Sequence, residues 1–288
     1  MKLLVFIPSF NDTLMAHRLA VQFLSDKHVV KVLIVDDSDD ARCREVAARI
    51  RSERIEVISR ERAGKWSAWR LALEEARDFD GLIEVDSDVS IRDTRVLALS
   101  IKSHDFVTAY QEIVVPCGGI GRILGIVYRN THEKLKRLGK FNMGGQVIGM
   151  NERTVCAFLE RGFFQEPVLA DDHVVALAAK VLGLRCTTID CGLQIRLPST
   201  LREWASYRSR HKGAIKWAEH YVALKTGKAS ETIEASRLDY SVFLSHFVTS
   251  LVESLGPASP FFLAFIFLTS LLPIEDQTMW SRLSGEKS

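Results

Sequence analysis

The stretch Leu82-Ile83-Glu84-Val85-Asp86-Ser87-Asp88 reads as an apolar strand that delivers two carboxylates, one residue apart, at its carboxyl end. Ligands of open α/β sheets bind beyond the carboxyl ends of the strands. A divalent cation held there by one or two carboxylates keeps waters and takes further oxygens from substrate phosphates. The stretch therefore points to a nucleotide-diphosphate site. Taken alone it fits equally well a strand running into an acidic turn, with Asp88 capping the next segment. Its neighbours decide between the two.

Lys2 to Pro8 is an apolar run ending in Pro8-Ser9-Phe10-Asn11-Asp12, and Val32 to Val35 is a second, ending in Asp36-Asp37-Ser38-Asp39-Asp40. Both read as buried parallel strands followed by helix-capping residues. Between them Leu14 to Leu24 carries apolar residues at helical spacing, so the unit is β-α-β with a right-handed crossover expected. Ile55 to Ser59 reads as a third strand, Ala63-Gly64-Lys65 as a turn, and Ala68 to Ala76 as the helix leading into the Asp86 strand. Residues 1–100 then make a doubly wound, nucleotide-binding half.

These segments, Ile7-Pro8-Ser9-Phe10-Asn11, Val35 to Asp40, Ala63-Gly64-Lys65 with Ala68, and Asp86-Ser87-Asp88, resemble in order those of a family 2 glycosyltransferase of GT-A fold. Asn142 to Gly149 resembles the acceptor-side segment of that family. Ala170-Asp171-Asp172-His173 resembles its acidic motif, and Tyr207-Arg208-Ser209-Arg210-His211 a degenerate form of its Gln-Arg-x-Arg-Trp segment. The resemblance implies an α/β protein with a doubly wound, nucleotide-diphospho-sugar transferase-like mixed sheet. The GT-A catalytic domain would span residues 1–225, with a nucleotide-binding half at 1–100 and an acceptor half at 101–225. Three departures stand out: Trp69 lies near where the family commonly has an Asn, Asp171 replaces a Glu, and Tyr207 and His211 replace the Gln and Trp of the basic motif. The last speaks against processive polymer synthesis.

Glycosyl transfer from a nucleotide sugar needs neutralisation of the departing diphosphate, a pocket for the base, and a group to take a proton from the attacking hydroxyl. Asp37, with Asp36 beside it, is placed to accept from a base N–H, or else to form an Asx turn or helix cap. Lys65, after a glycine, can approach the base or phosphates. The resemblance implies Pro8, Asp36, Asp37, Lys65 and Asp86 at the nucleotide. It also implies Mn²⁺ or Mg²⁺ at Asp86 and Asp88, the first toward the ribose and a metal-bound water and the second directly on the metal, with Asp172 as general base and Asp171 in support of it or on the acceptor. Asp171 and Asp172 follow an apolar segment and open an apolar helix, where plain capping is the alternative. Arg208 and Arg210 suit a leaving diphosphate or the acceptor, or equally a solvated basic face that meets anionic lipid.

The expected activity is inverting transfer of a hexose from a nucleotide-diphosphate sugar, UDP favoured over GDP, to a lipid-linked or glycan acceptor. A nucleotidyltransferase with a similar core would need a glycine-rich loop after the first strand, where Pro8-Ser9-Phe10-Asn11 stands instead. A catalytically inactive membrane-bound scaffold is the alternative outside enzymes, and the retained acidic pairs speak against it. The chain of 288 residues with net charge +2 suits one large α/β unit with an appendage, and nucleic acid is not an expected partner. Cys43, Cys117, Cys156, Cys186 and Cys191 form no CxxC pair and no even set, which fits a reducing cytosol. Residues 226–288 read as a C-terminal helical, membrane-associating appendage. In it Leu238 to Leu255 has the spacing of an amphipathic helix, and Phe261 to Leu272 is apolar all round. That second run has roughly a dozen apolar residues where a span needs about 20. It reads as an interfacial or re-entrant element at the cytoplasmic face of a membrane, with a transmembrane hairpin or a core or oligomer helix as the alternatives.

Overall fold

The computed structural model describes residues 1–139, 145–200, 203, 214–228 and 238–256. Strands β1 (Leu3–Ser9), β2 (Val29–Asp36), β3 (Ile55–Ser59) and β4 (Gly81–Val85) are mutually parallel, with β1 between β2 and β4. The sheet continues through β6 (Val147–Asn151), antiparallel to both β4 and β5 (Phe106–Val114), to β7 (Cys186–Arg196), which is parallel to β5. The spatial order is β3-β2-β1-β4-β6-β5-β7, a mixed sheet of 7 strands. Residues from both sides of position 100 share this one sheet, joined along the β4–β6 ladder.

Alternate residues of the strands enter two separate cores. Leu4, Phe6, Leu33, Val35 and Leu82 face one side, packed by α3 (Lys65–Glu75), α6 (Glu152–Glu160) and α7 (Asp171–Val181). Leu3, Val5, Ile7, Val32, Ile34 and Ile83 face the other, under α1 (Thr13–Leu24) and α4 (Thr94–Ser103). Coverage of both faces is why these strands stand in the sequence as unbroken apolar runs. The period of two puts Glu84 on the same side as Leu82, a carboxylate where a core side chain would be expected. A short helix α2 (Ala41–Arg49) follows β2, capped by Asp40, whose carboxylate accepts from the Arg42 and Cys43 backbone N–H groups.

Two expectations shift. Helix α3 starts at Lys65 instead of Ala68, because Gly64 takes a left-handed φ of 86° and its carbonyl accepts from Ser67 and Ala68. Lys65 is thereby the first residue of a helix and not part of the turn. The helix read at Leu238–Leu255 is present, here α9, but it lies against α5 (Gly119–Arg137). The Phe247 ring meets Tyr128 edge-on at 5.2 Å, Lys134 Nζ pairs with Glu253 at 2.6 Å, and Asn130 Nδ2 donates to Ser254 Oγ at 3.3 Å. Phe247 and Leu251 are buried, so this apolar face is spent on the protein's own core, while Val248 and Val252 remain exposed. The helix α8 (Ala214–Thr226) packs its Tyr221 beside Phe163 and Trp217. Among the described residues no helix is long and apolar enough to cross a membrane. The run Phe261 to Leu272 lies outside the described residues.

Candidate active site

The crevice lies where β1, β2 and β4 end. Pairing of β1 with β4 stops at Phe6 opposite Glu84, while pairing with β2 runs on through Pro8 opposite Val35 to Ser9 opposite Asp36. Pro8, which has no N–H to offer, thus stands where the sheet opens. Asn11 follows at a left-handed φ of 61°, a conformation Asn tolerates better than most residues. It is held there by donating its N–H to Ser38 Oγ at 2.8 Å and its side-chain amide to Asp39 at 2.7 Å, and by accepting from the Asp39 and Asp40 backbone.

The Asp36 and Asp37 carboxylates are both engaged by the protein. Asp36 is fully buried, and its Oδ1 accepts from Thr13 Oγ1 at 2.9 Å and Ser38 Oγ at 2.5 Å, tying the start of α1 to the end of β2. Asp37 accepts a guanidinium fork from Arg60, Nε at 2.6 Å and Nη2 at 3.3 Å, and the N–H groups of Ala63 and Gly64 at 3.3 and 3.0 Å. Arg60 Nη1 also donates to Ser67 Oγ at 2.9 Å. Asp37 therefore shapes the loop that delivers Lys65.

Lys65 draws the site together. Its Nζ lies 2.7 Å from Asp86 Oδ1, 3.0 Å from Glu84 Oε1 and 3.1 Å from Asp171 Oδ2. Burial works against the ammonium, but Asp171, Asp86 and Glu84 outweigh it and hold Lys65 well above its usual range. Glu84 is fully buried, and burial pushes its carboxyl well above the usual carboxylate range against the pull of Lys65. Asp88 follows in the turn after β4, its side chain reaching solvent. Desolvation and the nearby charge of Asp86 raise its pKa, with Lys65 opposing. Glu84 went unread in the sequence, where its only signal was a charged residue inside an otherwise apolar strand.

The acidic pair opens α7 after Ala170, a non-glycine residue at φ 50°. Such backbone strain, of order 1–3 kcal/mol, persists only where the surroundings hold it. Asp171 Oδ2 is fixed a second time by Trp69 Nε1, which donates at 2.9 Å. Trp69 itself is fully buried, stacked on Phe164 at 5.4 Å and meeting Phe6 edge-on at 5.6 Å. Lys65 and Trp69 are one turn apart on α3, so two donors of that helix grip one oxygen of α7. Asp172 is not gripped in this way by α3: its Oδ1 accepts from the neighbouring His173 N–H at 2.8 Å. Burial, then the charge of Asp171, pushes Asp172 up to about 6.

A family model described as glycosyl transferase family 2 matches residues 4–157. The chain belongs to glycosyl transferase family 2. Comparison with curated proteins finds no match. Among solved structures, this glycosyltransferase is similar to a mannosyltransferase from Pyrobaculum calidifontis in complex with GDP-Man and Mn²⁺. The two are 15% identical, with 99% of this chain and 84% of that chain covered, at a TM-score of 0.56. A second similar structure is glucosyl-3-phosphoglycerate synthase from Mycobacterium tuberculosis, in complex with Mn²⁺, UDP-glucose and phosphoglyceric acid. It is 17% identical, with 75% of this chain and 79% of that chain covered, at a TM-score of 0.47. The first likeness bears on the fold alone, which this chain shares with that mannosyltransferase.

Of the site residues read from the sequence, the structure brings Lys65, Asp86 and Asp171 into contact, with Asp172 next to them and Asp88 beyond Asp86. It sets Asp36 and Asp37 behind them as anchors of the surrounding loops. Arg208 and Arg210 lie outside the described residues, as do Tyr207, His211 and Asn142 to Gly144. Among the described residues no group of three or more His, Cys, Asp or Glu has the arrangement of a metal site. A divalent cation held by a pair of carboxylates and completed by substrate oxygens and water needs no such group, since Mg²⁺-like ions seldom sit in all-protein cages. The Asp86–Asp88 pair, crowded and mutually repulsive, has the hard oxygen donors for it.

Proposed function

We propose that this glycosyltransferase moves a hexose from a nucleotide-diphosphate sugar to a hydroxyl or phosphate oxygen of a lipid-linked or glycan acceptor, with inversion at the anomeric carbon. The observation that carries the reading is the meeting of the two acidic motifs, Asp86 from the end of β4 and Asp171 from the start of α7, across Lys65. Donor and acceptor chemistry would thereby share one crevice.

Asp86 and Asp88 would hold Mn²⁺ or Mg²⁺, which when bound offsets the charge of the departing diphosphate. Asp172 takes the proton from the attacking oxygen. Its raised pKa and its freedom from the grip on Asp171 support that role, since a base is most effective when poised near the working pH. Asp171, pinned by Lys65 and Trp69, holds the start of α7 in place and so positions Asp172. Attack from the face opposite the diphosphate inverts the configuration. UDP is the favoured base carrier, GDP the alternative. Attachment at the cytoplasmic face of a membrane is supported by the apolar composition of Phe261 to Leu272 and the basic stretch Arg202 to Lys216.

The test is a screen of UDP- and GDP-sugars with Mn²⁺, first for hydrolysis and then with membrane lipid extract or soluble glycans as acceptors, products being read by mass and anomeric configuration by NMR. Transfer with inversion from one donor class is the expected result. Failure of the protein to bind either nucleotide in the presence of Mn²⁺ would sink the reading. Flotation with anionic liposomes separates a lipid-surface enzyme from one that acts on soluble glycans.

A further inference from the structure

Glu84 and Lys65 do something that glycosyl transfer itself does not require. Glu84 is a carboxylate inside the sheet, with none of its surface exposed, beneath the floor of the crevice. Nothing in the covered face of a strand calls for it, and burying such a group without a partner is costly. Its neighbour in space is the Lys65 ammonium at 3.0 Å, and the same ammonium reaches Asp86 at 2.7 Å. Lys65 therefore sits between two partners: an exposed-side carboxylate that the cation would need, and a buried one that no solute can reach.

We propose that Lys65 is a built-in counter-ion which occupies Asp86 until a divalent cation displaces it, with Glu84 and Asp171 as the partners it keeps on leaving. The inference rests on the reading of Asp86 and Asp88 as the metal pair. An ammonium on Asp86 and a divalent cation held by the Asp86–Asp88 pair repel each other at close range, so the two compete. Because Lys65 is tethered at the first residue of α3 while Glu84 and Asp171 stay within reach of its Nζ, release from Asp86 needs only a small swing of the side chain and keeps the ammonium beside Asp171 and Glu84. Lys65 thus stabilises the empty crevice, in which Asp86, Asp88 and Asp171 would otherwise repel one another, and lowers the apparent affinity for the metal by the fraction of time it holds Asp86. The donor diphosphate, by adding its own oxygens to the metal, tips the exchange. Metal binding is therefore weak alone and strong with nucleotide.

The experiment titrates Mn²⁺ calorimetrically into the full chain without nucleotide, for wild type and Lys65→Met. A side chain of similar length without charge should bind Mn²⁺ about tenfold more tightly if Lys65 holds Asp86 nine-tenths of the time. If Lys65→Met fails to fold because Glu84 is left alone, the double variant Lys65→Met/Glu84→Gln removes the buried carboxylate with its partner and should show the same gain. A second arm labels wild-type amines with a water-soluble acylating reagent and reads Lys65 by mass spectrometry, with and without Mn²⁺. Displacement changes the labelling of Lys65 and leaves distant lysines such as Lys102 as they were. Unchanged or weaker Mn²⁺ binding in the variants overturns the proposal while the metal reading stands. So does tighter binding with no change at Lys65, which would be plain charge repulsion. Wild type that binds no Mn²⁺ even with UDP or GDP present overturns the metal reading and this inference together.

Discussion

A Cβ added at Gly145 would stand 1.9 Å from the Cβ of Asp172 and 2.7 Å from its Oδ2. The backbone that leads into β6 is seated against the acidic pair, and only a residue without a side chain leaves Asp172 its place. Gly145→Ala should therefore displace Asp172 or the chain beside it. A misplacement of about 1 Å can cost on the order of 10²-fold in turnover, and the overpacking about 1–3 kcal/mol of stability. Steady-state kinetics with donor binding measured in parallel should show kcat down and nucleotide affinity little changed. Full activity in the alanine variant would mean that Asp172 is not the base.

With Asp172 as the proposed base, burial and the charge of Asp171, which push its pKa up to about 6, should show in the pH dependence of the reaction. The base must be ionised to accept a proton, so kcat/KM should fall about tenfold per unit below that pKa and level off above it. The same shift has a cost in stability. A carboxyl whose folded pKa is raised above its unfolded value of about 3.9 binds its proton more tightly when folded, so stability declines as pH rises from about 4 to 6. Asp172→Asn removes that decline. The variant should unfold at a higher temperature than wild type at pH 7 and show no such advantage at pH 4, while its turnover falls by roughly 10²-fold or more. An unchanged acid limb in an active Asp172→Asn enzyme would place the base elsewhere.

Trp69→Phe separates the hydrogen bond from the packing. The ring that stacks on Phe164 and meets Phe6 is largely kept, but Asp171 Oδ2 loses its indole donor. A hydrogen bond to a charged acceptor is worth about 1.5–3 kcal/mol, and urea unfolding should show a loss of that order. Turnover should fall more than donor affinity, because the bond positions the start of α7. A variant with wild-type stability and rate would show that Lys65 alone suffices to hold Asp171.

How much of this was legible in the sequence depends on how far apart the partners lie. Strands β1, β2 and β4 could be read because each is buried on both faces and almost wholly apolar, while β3, half-exposed at the sheet edge, had only Ile55, Val57 and Ile58 to mark it. The placement of Asp86 and Asp88 after a strand and of Asp171 and Asp172 at the start of a helix could be read because each pair is local. The partners of those residues could not. Trp69 is 102 positions from Asp171, and its place in the sequence marks only a departure from a pattern. Asp37 and Arg60 are 23 positions apart, and nothing local tells that a carboxylate at a strand end will organise the next loop. Glu84 was hidden by its own strand, since an alternation rule notes the face of a residue but not the ammonium waiting there. The helix at 238–255 shows the converse: its periodicity was plain, while the surface that covers it, α5, was not.

Asp105 lies at the end of the sheet away from the crevice. It is almost fully buried, and its carboxylate accepts from Arg185 backbone N–H at 3.0 Å, Arg185 Nε and Nη2 at 3.3 Å, and Asn151 Nδ2 at 2.9 Å. Burial opposes the charge, but these bonds overcome it and bring the pKa to about 2. A carboxyl depressed from its unfolded value of about 3.9 contributes stability that is complete above about pH 5 and is lost as pH falls toward 2. Asp105→Asn should thus be less stable than wild type at pH 7, by about 1.5–3 kcal/mol for the charged acceptor it gives up. The gap should close as wild type itself is acidified from about pH 4 to 2. Because Asp105 knits β5, β6 and β7 and touches nothing at the crevice, Mn²⁺-dependent nucleotide binding at pH 7 should survive below the new unfolding midpoint. A stability difference that stays constant down to about pH 2 would show that the ionised carboxylate is not what holds this end of the sheet.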